Sequence, residues 1–103
     1  MKNAKEEFLN HVKNNDVLCA EIIFGNEDYV DNKKYILKIG YSKNDLYSFL
    51  FKLNFEYDNG YGRQELFGNI WYKNGDWSER FEYDGSECWH HKSLPNIPDY
   101  LRG

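Results

Sequence analysis

The 103-residue chain has little proline (2), little cysteine (2) and a single methionine. No window approaches 18 consecutive apolar residues, which excludes a helical membrane span. The few prolines and 8 glycines exclude collagen-like or linker sequence. Cys19 and Cys88 form neither a metal-ligand spacing nor a disulfide framework. Lys and Arg are not clustered, so binding to nucleic acid through its phosphates is not expected. The first residues, Met-Lys-Asn-Ala-Lys-Glu-Glu, lack the apolar run of a secretory signal, so reduced thiols in a cytoplasmic compartment are expected.

Aromatic residues are abundant: 3 Trp, 9 Tyr and 7 Phe, or 18% of the chain. Few aromatics mark disorder, so this composition argues for a packed core, and the length suits one domain over residues 1–103. The formal charge of −4 is unevenly spread. Residues 1–53 balance 8 acids with 8 bases, whereas residues 54–91 hold 8 acids against 3 bases. That balance keeps a small domain soluble, and it also suits encounter with a basic protein surface.

The periodicity predicts an α+β domain in the order α-β-β-α-β-β-β-β, with two helices on one face of a mainly antiparallel sheet of about six strands. Asn3 and Glu6 have capping-box spacing ahead of a stripe of Ala4, Phe8, Leu9 and Val12. Residues 17–24 are apolar on both faces, as a central strand should be, and Glu21 is the exception. Gly25–Lys33 reads as a polar loop, and Tyr35–Gly40 as a strand with Tyr35, Leu37 and Ile39 on one face. Ser42 and Asp45 open a second helix whose stripe is Leu46, Phe49, Leu50 and Leu53. A C-terminal meander follows, with turns at Asn74-Gly75 and Asp84-Gly85.

Two-residue turns would pair Tyr72 with Trp77 and Trp71 with Ser78, then Phe81 with Cys88 and Arg80 with Trp89. That register gives a core face of Leu66, Ile70, Tyr72, Trp77, Phe81, Tyr83 and Cys88, bordered by Glu79 and His90. The opposite face would collect Phe67, Asn69, Trp71, Ser78, Arg80, Glu82, Glu87, Trp89 and His91. Trp and Arg dominate binding hot spots. Trp71, Arg80 and Trp89 are therefore expected to anchor a protein partner, with Glu82, Glu87, Asp76 and Asp84 complementing its basic groups. The structural alternative packs Trp71 and Trp89 under a helix or the tail, with Arg80 stacked between them.

Other chemistry is weaker. Cys88, His90 and Glu79 could be arranged as nucleophile, base and orienter, but no oxyanion-hole candidate accompanies them. Cys88, His90, His91 and Glu87 do not make a metal site, because adjacent histidines on a strand point to opposite faces. Asn59-Gly60-Tyr61-Gly62-Arg63 shares only its glycines with a phosphate-binding loop. No cofactor is implied. A carboxylate-pair enzyme and an aromatic platform for carbohydrate or another small ligand stand as the remaining alternatives.

The run from Tyr57-Asp58-Asn59-Gly60-Tyr61-Gly62-Arg63-Gln64-Glu65-Leu66-Phe67-Gly68-Asn69-Ile70-Trp71 continues through Asn74-Gly75-Asp76-Trp77-Ser78-Glu79-Arg80 to Glu82-Tyr83-Asp84-Gly85-Ser86-Glu87-Cys88-Trp89. It resembles small uncharacterised acidic proteins of bacteria, their phages and mobile elements. The resemblance covers most of the chain and is densest over 57–89. It implies no activity and no site residues. The pattern often carries tryptophan where this chain has Cys88, which argues against a catalytic cysteine. Small acidic proteins of mobile elements are often inhibitors of host defence nucleases. The class therefore implies an anti-defence, anti-CRISPR-like inhibitor as the narrower form of the binding reading.

Overall fold

The computed structural model describes residues 1–25, 32–60 and 62–102. Part of the loop expected between Gly25 and Lys33, and Tyr61 of the glycine-rich loop, lie outside these residues. The chain is α+β: two helices pack on one face of an antiparallel sheet. The elements are β1 (Lys2–Asn3), α1 (Ala4–Val12), β2 (Val17–Phe24), β3 (Lys33–Leu37), α2 (Lys43–Lys52), β4 (Glu56–Tyr57), β5 (Leu66–Tyr72), β6 (Trp77–Tyr83) and β7 (Ser86–Lys92). A 3₁₀ turn follows at Asp99–Leu101. The main sheet runs β3-β2-β5-β6-β7, and β1 pairs with β4 apart from it.

Both helices start where side chains can satisfy the free N–H groups of a first turn. Asn3 Oδ1 accepts from Glu6 N at 3.0 Å. Ser42 Oγ accepts from Asp45 N at 3.1 Å while Asp45 Oδ2 accepts from Ser42 N at 3.0 Å, a full capping box. The stripe of α2 buries Phe49 and Leu53, and Phe49 meets Phe8 of α1 edge-on at 5.4 Å. The β1–β4 clip ties the start of α1 to the segment after α2, with Ala4 N donating to Phe55 O at 2.9 Å.

The twofold apolar pattern of β2 fits its place between β3 and β5. Its inner residues Ala20 and Ile22 are buried, whereas Cys19 and Ile23 on the other face are only half-covered. Gly68 of β5 lies against this strand. A Cβ there would stand 2.0 Å from Glu21 O and 2.9 Å from Ile22 Cα, and its φ is +136°. β3 stops at Leu37 rather than running to Gly40, because Tyr41 N closes a turn onto Lys38 O at 3.2 Å. Ile39 is consequently exposed instead of sharing the inner face with Tyr35 and Leu37.

The two hairpin turns differ. At Asp84-Gly85 both residues have positive φ, 51° and 83°, so two residues reverse the chain and every expected β6–β7 pair forms, from Tyr83↔Ser86 to Glu79↔His90. At the first hairpin only Gly75 is positive, at 95°. Gly75 N donates to Tyr72 O at 3.1 Å and Tyr72 N to Asp76 O at 2.9 Å, so three residues, Lys73, Asn74 and Gly75, make the loop. Asn74 Oδ1 accepts from Asp76 N at 2.9 Å, a bond that keeps Asn74 out of the left-handed region. The observed pairs are Trp71↔Trp77, Ile70↔Ser78 and Asn69↔Glu79. A one-residue shift reverses the faces of β6, and of β7 with it.

Candidate binding face

That shift corrects the expected division of faces. The inner face joins Leu66, Ile70 and Tyr72 to Ser78, Arg80, Glu87, Trp89 and His91. The outer face joins Phe67, Asn69 and Trp71 to Trp77, Glu79, Phe81, Tyr83, Cys88 and His90. The residues read as one binding surface are thus divided. Trp71 is 41% exposed on the outer face, whereas Trp89 is 6% exposed on the inner one. Arg80 and Glu87 are buried beside Trp89, with side chains 1% and 2% exposed. Asp76 is half-buried, and Glu82 and Asp84 are exposed at the β6–β7 turn.

The inner group is a charge network under α1. Glu7 and His11, one turn apart on the helix, reach Arg80 and Ser78 of β6. Arg80 Nη1 lies 3.1 Å from Glu7 Oε1, and Arg80 Nη2 lies 2.5 Å from Glu87 Oε1. Arg80 Nη2 also donates to Tyr57 Oη at 2.9 Å, and Tyr57 in turn donates to Glu7 Oε1. The guanidinium sits 5.0 Å from the Trp89 ring centre. Glu87 further accepts from Glu65 N at 2.7 Å and Leu66 N at 3.0 Å. The like-charged Glu82–Glu87 pair is relieved because Glu82 turns to accept from Gly85 N at 2.9 Å. Burial works against the Arg80 charge, but Glu7, Tyr57 and Glu87 outweigh it and hold its pKa above the ordinary guanidinium value. Burial, then the bond to Glu7, lifts the Tyr57 phenol far above its ordinary range, so it stays neutral.

Beside this network His11 Nε2 meets Ser78 Oγ at 2.8 Å, and Ser78 Oγ meets Tyr72 Oη at 2.7 Å. His91 stacks on Tyr72 at 5.0 Å and reaches Asp76 Oδ2 at 2.9 Å. The serine–histidine contact resembles a hydrolytic dyad, but Ser78 has no solvent access, so no substrate can reach it. Its role is to satisfy buried polar groups.

This cluster predicts an acid-sensitive fold. Burial first, then His91, lowers the pKa of His11 below its ordinary 6.5, with Arg80 and His90 adding to the effect and Glu7 opposing it. The unfolded chain then binds the proton more readily, so the stabilisation is complete above about pH 6.5 and is lost as pH falls through the folded value. Urea midpoints measured between pH 7.5 and pH 5.5 should drop in the parent and drop less in His11→Gln.

The outer face has a different chemistry. Cys88, His90 and Glu79 do share it, as the second hairpin requires. Yet Glu79 pairs with Lys92, His90 stacks on Phe81 at 4.1 Å, and Cys88 is exposed. A depression of about 280 Å³ lies between β3 and α2, and one of about 270 Å³ lies beside α1 and Tyr41. An open one of about 400 Å³ on the outer face is lined by Cys19, Glu21, Ile36, Ile39 and Trp71. None of these contains Cys88, His90 or Ser78. Among the described residues no three His, Cys, Asp or Glu side chains gather as a metal-ligand set, and no helix is long and apolar enough to cross a membrane.

No described element covers this outer face. Trp71, Phe81, Tyr83 and Ile36 are exposed on it, and Trp77, Phe67 and Ile23 are half-buried. The aromatic row along β6 ends with Tyr83 at the Asp84-Gly85 turn, where Asp84 is exposed and Glu82, on the inner side of the strand opposite Glu87, is exposed at the sheet's end. Glu7, His11 and Tyr57 escaped the sequence reading as members of this cluster. The legible signal was the spacing of Ala4, Glu7 and His11 on one helical face. No protein-family model, curated protein or solved structure matches the chain.

Proposed function

We propose that this chain is a non-enzymatic protein-binding module that docks through the outer face of its sheet. The supporting observation is the uncovered aromatic row of Trp71, Trp77, Phe81 and Tyr83, ending in Glu82 and Asp84. Aromatic side chains bring large contact area, and flanking carboxylates steer a basic partner. The partner is a protein whose apolar pocket is rimmed by Lys or Arg. The inhibitor reading is one instance of it: a host defence nuclease presents basic groups to nucleic acid, and an acidic aromatic hairpin would compete for them.

This reading moves the anchors. Trp89→Ala becomes a test of folding, because its ring lies under α1, and Phe81, Tyr83 and Glu82 become the tests of binding. A partner captured from host lysate and purified should bind Tyr83→Ala weaker by on the order of thirtyfold. Glu82→Lys should slow association, and the parent complex should weaken as salt rises. If the partner is a nuclease, excess chain should suppress its cleavage. A partner that bound Trp71→Ala, Tyr83→Ala and Glu82→Lys as tightly as the parent would remove this face from consideration.

A further inference from the structure

The C-terminal segment after β7 shows a second mismatch with solvent. Every described residue from Ser93 to Arg102 is exposed, among them Leu94, Ile97, Leu101 and Tyr100, the last at 84%. Residues 93–98 have no regular secondary structure, and Pro98 has φ −60° and ψ 147°, the polyproline II conformation. Pro95 and Pro98 stand in Pro-x-x-Pro spacing. Such segments dock on aromatic-lined surfaces, because a preformed polyproline helix loses little entropy on binding.

The same chain offers such a surface and does not cover it. Trp71 and Trp77 are cross-strand partners on the outer face, and the open depression of about 400 Å³ adjoins Trp71. The segment starts at the rim of that face, since Lys92 pairs with Trp77 in register and its ammonium meets Glu79. The dimensions agree. From Trp77 to Ile36 the face crosses three strand spacings, roughly 14 Å. Leu94 to Pro98 spans roughly 12 Å as polyproline II, and the 3₁₀ turn adds about 4 Å for Asp99 and Tyr100. The chain keeps the segment away from its own sheet. Its longest dimension is 51 Å against 25 Å for the shortest, and its radius of gyration is 15.4 Å, above the ~13 Å of a compact 100-residue domain.

We propose that two copies exchange these arms, the Leu94–Leu101 segment of each lying across the Trp71–Trp77 side of the other's outer face. One arm and one face per copy close a twofold pair with nothing left over. The exchange covers Trp71 and Trp77 of the aromatic row and leaves the Phe81–Tyr83 tip open, so a foreign protein would meet the paired form at that tip alone, and the exchange stands whether or not the tip binds one. Salt separates the two. Each copy carries a formal charge of −4, so screening should strengthen the pair of like-charged copies while weakening a complex with a basic partner.

Sedimentation equilibrium of the full chain over a concentration series up to about 1 mM tests the proposal. The parent should form dimers, more tightly at high salt. Ile97→Ser with Tyr100→Ser, and separately Trp71→Ala, should each weaken dimerisation at least about tenfold. Ile97 and Tyr100 are exposed in a segment outside the sheet, so the urea midpoint of that double variant should hold. A synthetic peptide of residues 92–102 should change the tryptophan emission of the tail variant. A parent that stays monomeric overturns the proposal, including the case in which the peptide still binds the tail variant, which would place the arm on its own face. Dimers indifferent to either set of substitutions overturn it as well.

Discussion

Arg80→Ala should lower the unfolding free energy by about 3–5 kcal/mol, the usual cost of removing one partner from a buried ion pair. A domain of this kind has only about 5–15 kcal/mol in total, so the variant should be largely unfolded in modest urea. The reason is an imbalance of charge. Glu7 and Glu87 share one guanidinium in a site almost closed to water. Without it Glu87 keeps two backbone N–H donors, but among the described residues Glu7 keeps only the Tyr57 hydroxyl. Arg80→Lys should fall between, since an ammonium retains the charge but lacks the planar fork that reaches both carboxylates and Tyr57. Urea titrations at pH 7 check the order of the three chains. An Arg80→Ala chain as stable as its parent would mean that the network contributes nothing to the fold.

Gly68→Ala should be nearly as damaging, at about 3 kcal/mol or more, from backbone strain of about 1–3 kcal/mol joined to overpacking of similar size. The obstacle is backbone: a Cβ would meet Glu21 O at 2.0 Å, and neither strand has a flexible side chain there to move aside. The substitution should loosen the β2–β5 seam at the middle of the sheet, so amide exchange should quicken first at Glu21 and Ile22. Gly60→Ala is the control. It meets nothing within 4 Å and its φ is not positive, so its effect should stay within about 0.5 kcal/mol.

These two residues also show how far the sequence could be read. Gly68 was visible as a glycine in a strand. What requires it is β2, whose backbone passes too close for any side chain. Arg80 stands among aromatics in the sequence, and the expected register puts it on the opposite side of the sheet from the one it occupies. The cause was one turn. Asn-Gly is compatible with a two-residue reversal and with a three-residue loop ending in a left-handed glycine. The side-chain bond from Asn74 to Asp76 N, with Lys73 N donating to Asp16 O at 2.9 Å, holds the second form. Asp84-Gly85 took the two-residue form, with both residues at positive φ, and its pairs are the expected ones residue for residue. In α1 the apolar residues alone pointed to Leu9 and Val12, yet Leu9 is exposed and Glu7 is buried, because Arg80 lies opposite Glu7.

Local chemistry by itself determined the elements of this protein: the capped helix starts, the doubly apolar strand, the second hairpin and the class of the fold. Those features depend on neighbours a few residues apart, whose preferences act before the chain is compact. Which face meets water was decided only by tertiary structure. Side chains on a strand alternate with a period of two, so one added residue in a loop exchanges every inside for an outside. The choice between the two was made at the Asn74 turn together with contacts far apart in the chain, Lys73 with Asp16, Glu7 with Arg80, and Tyr57 with both.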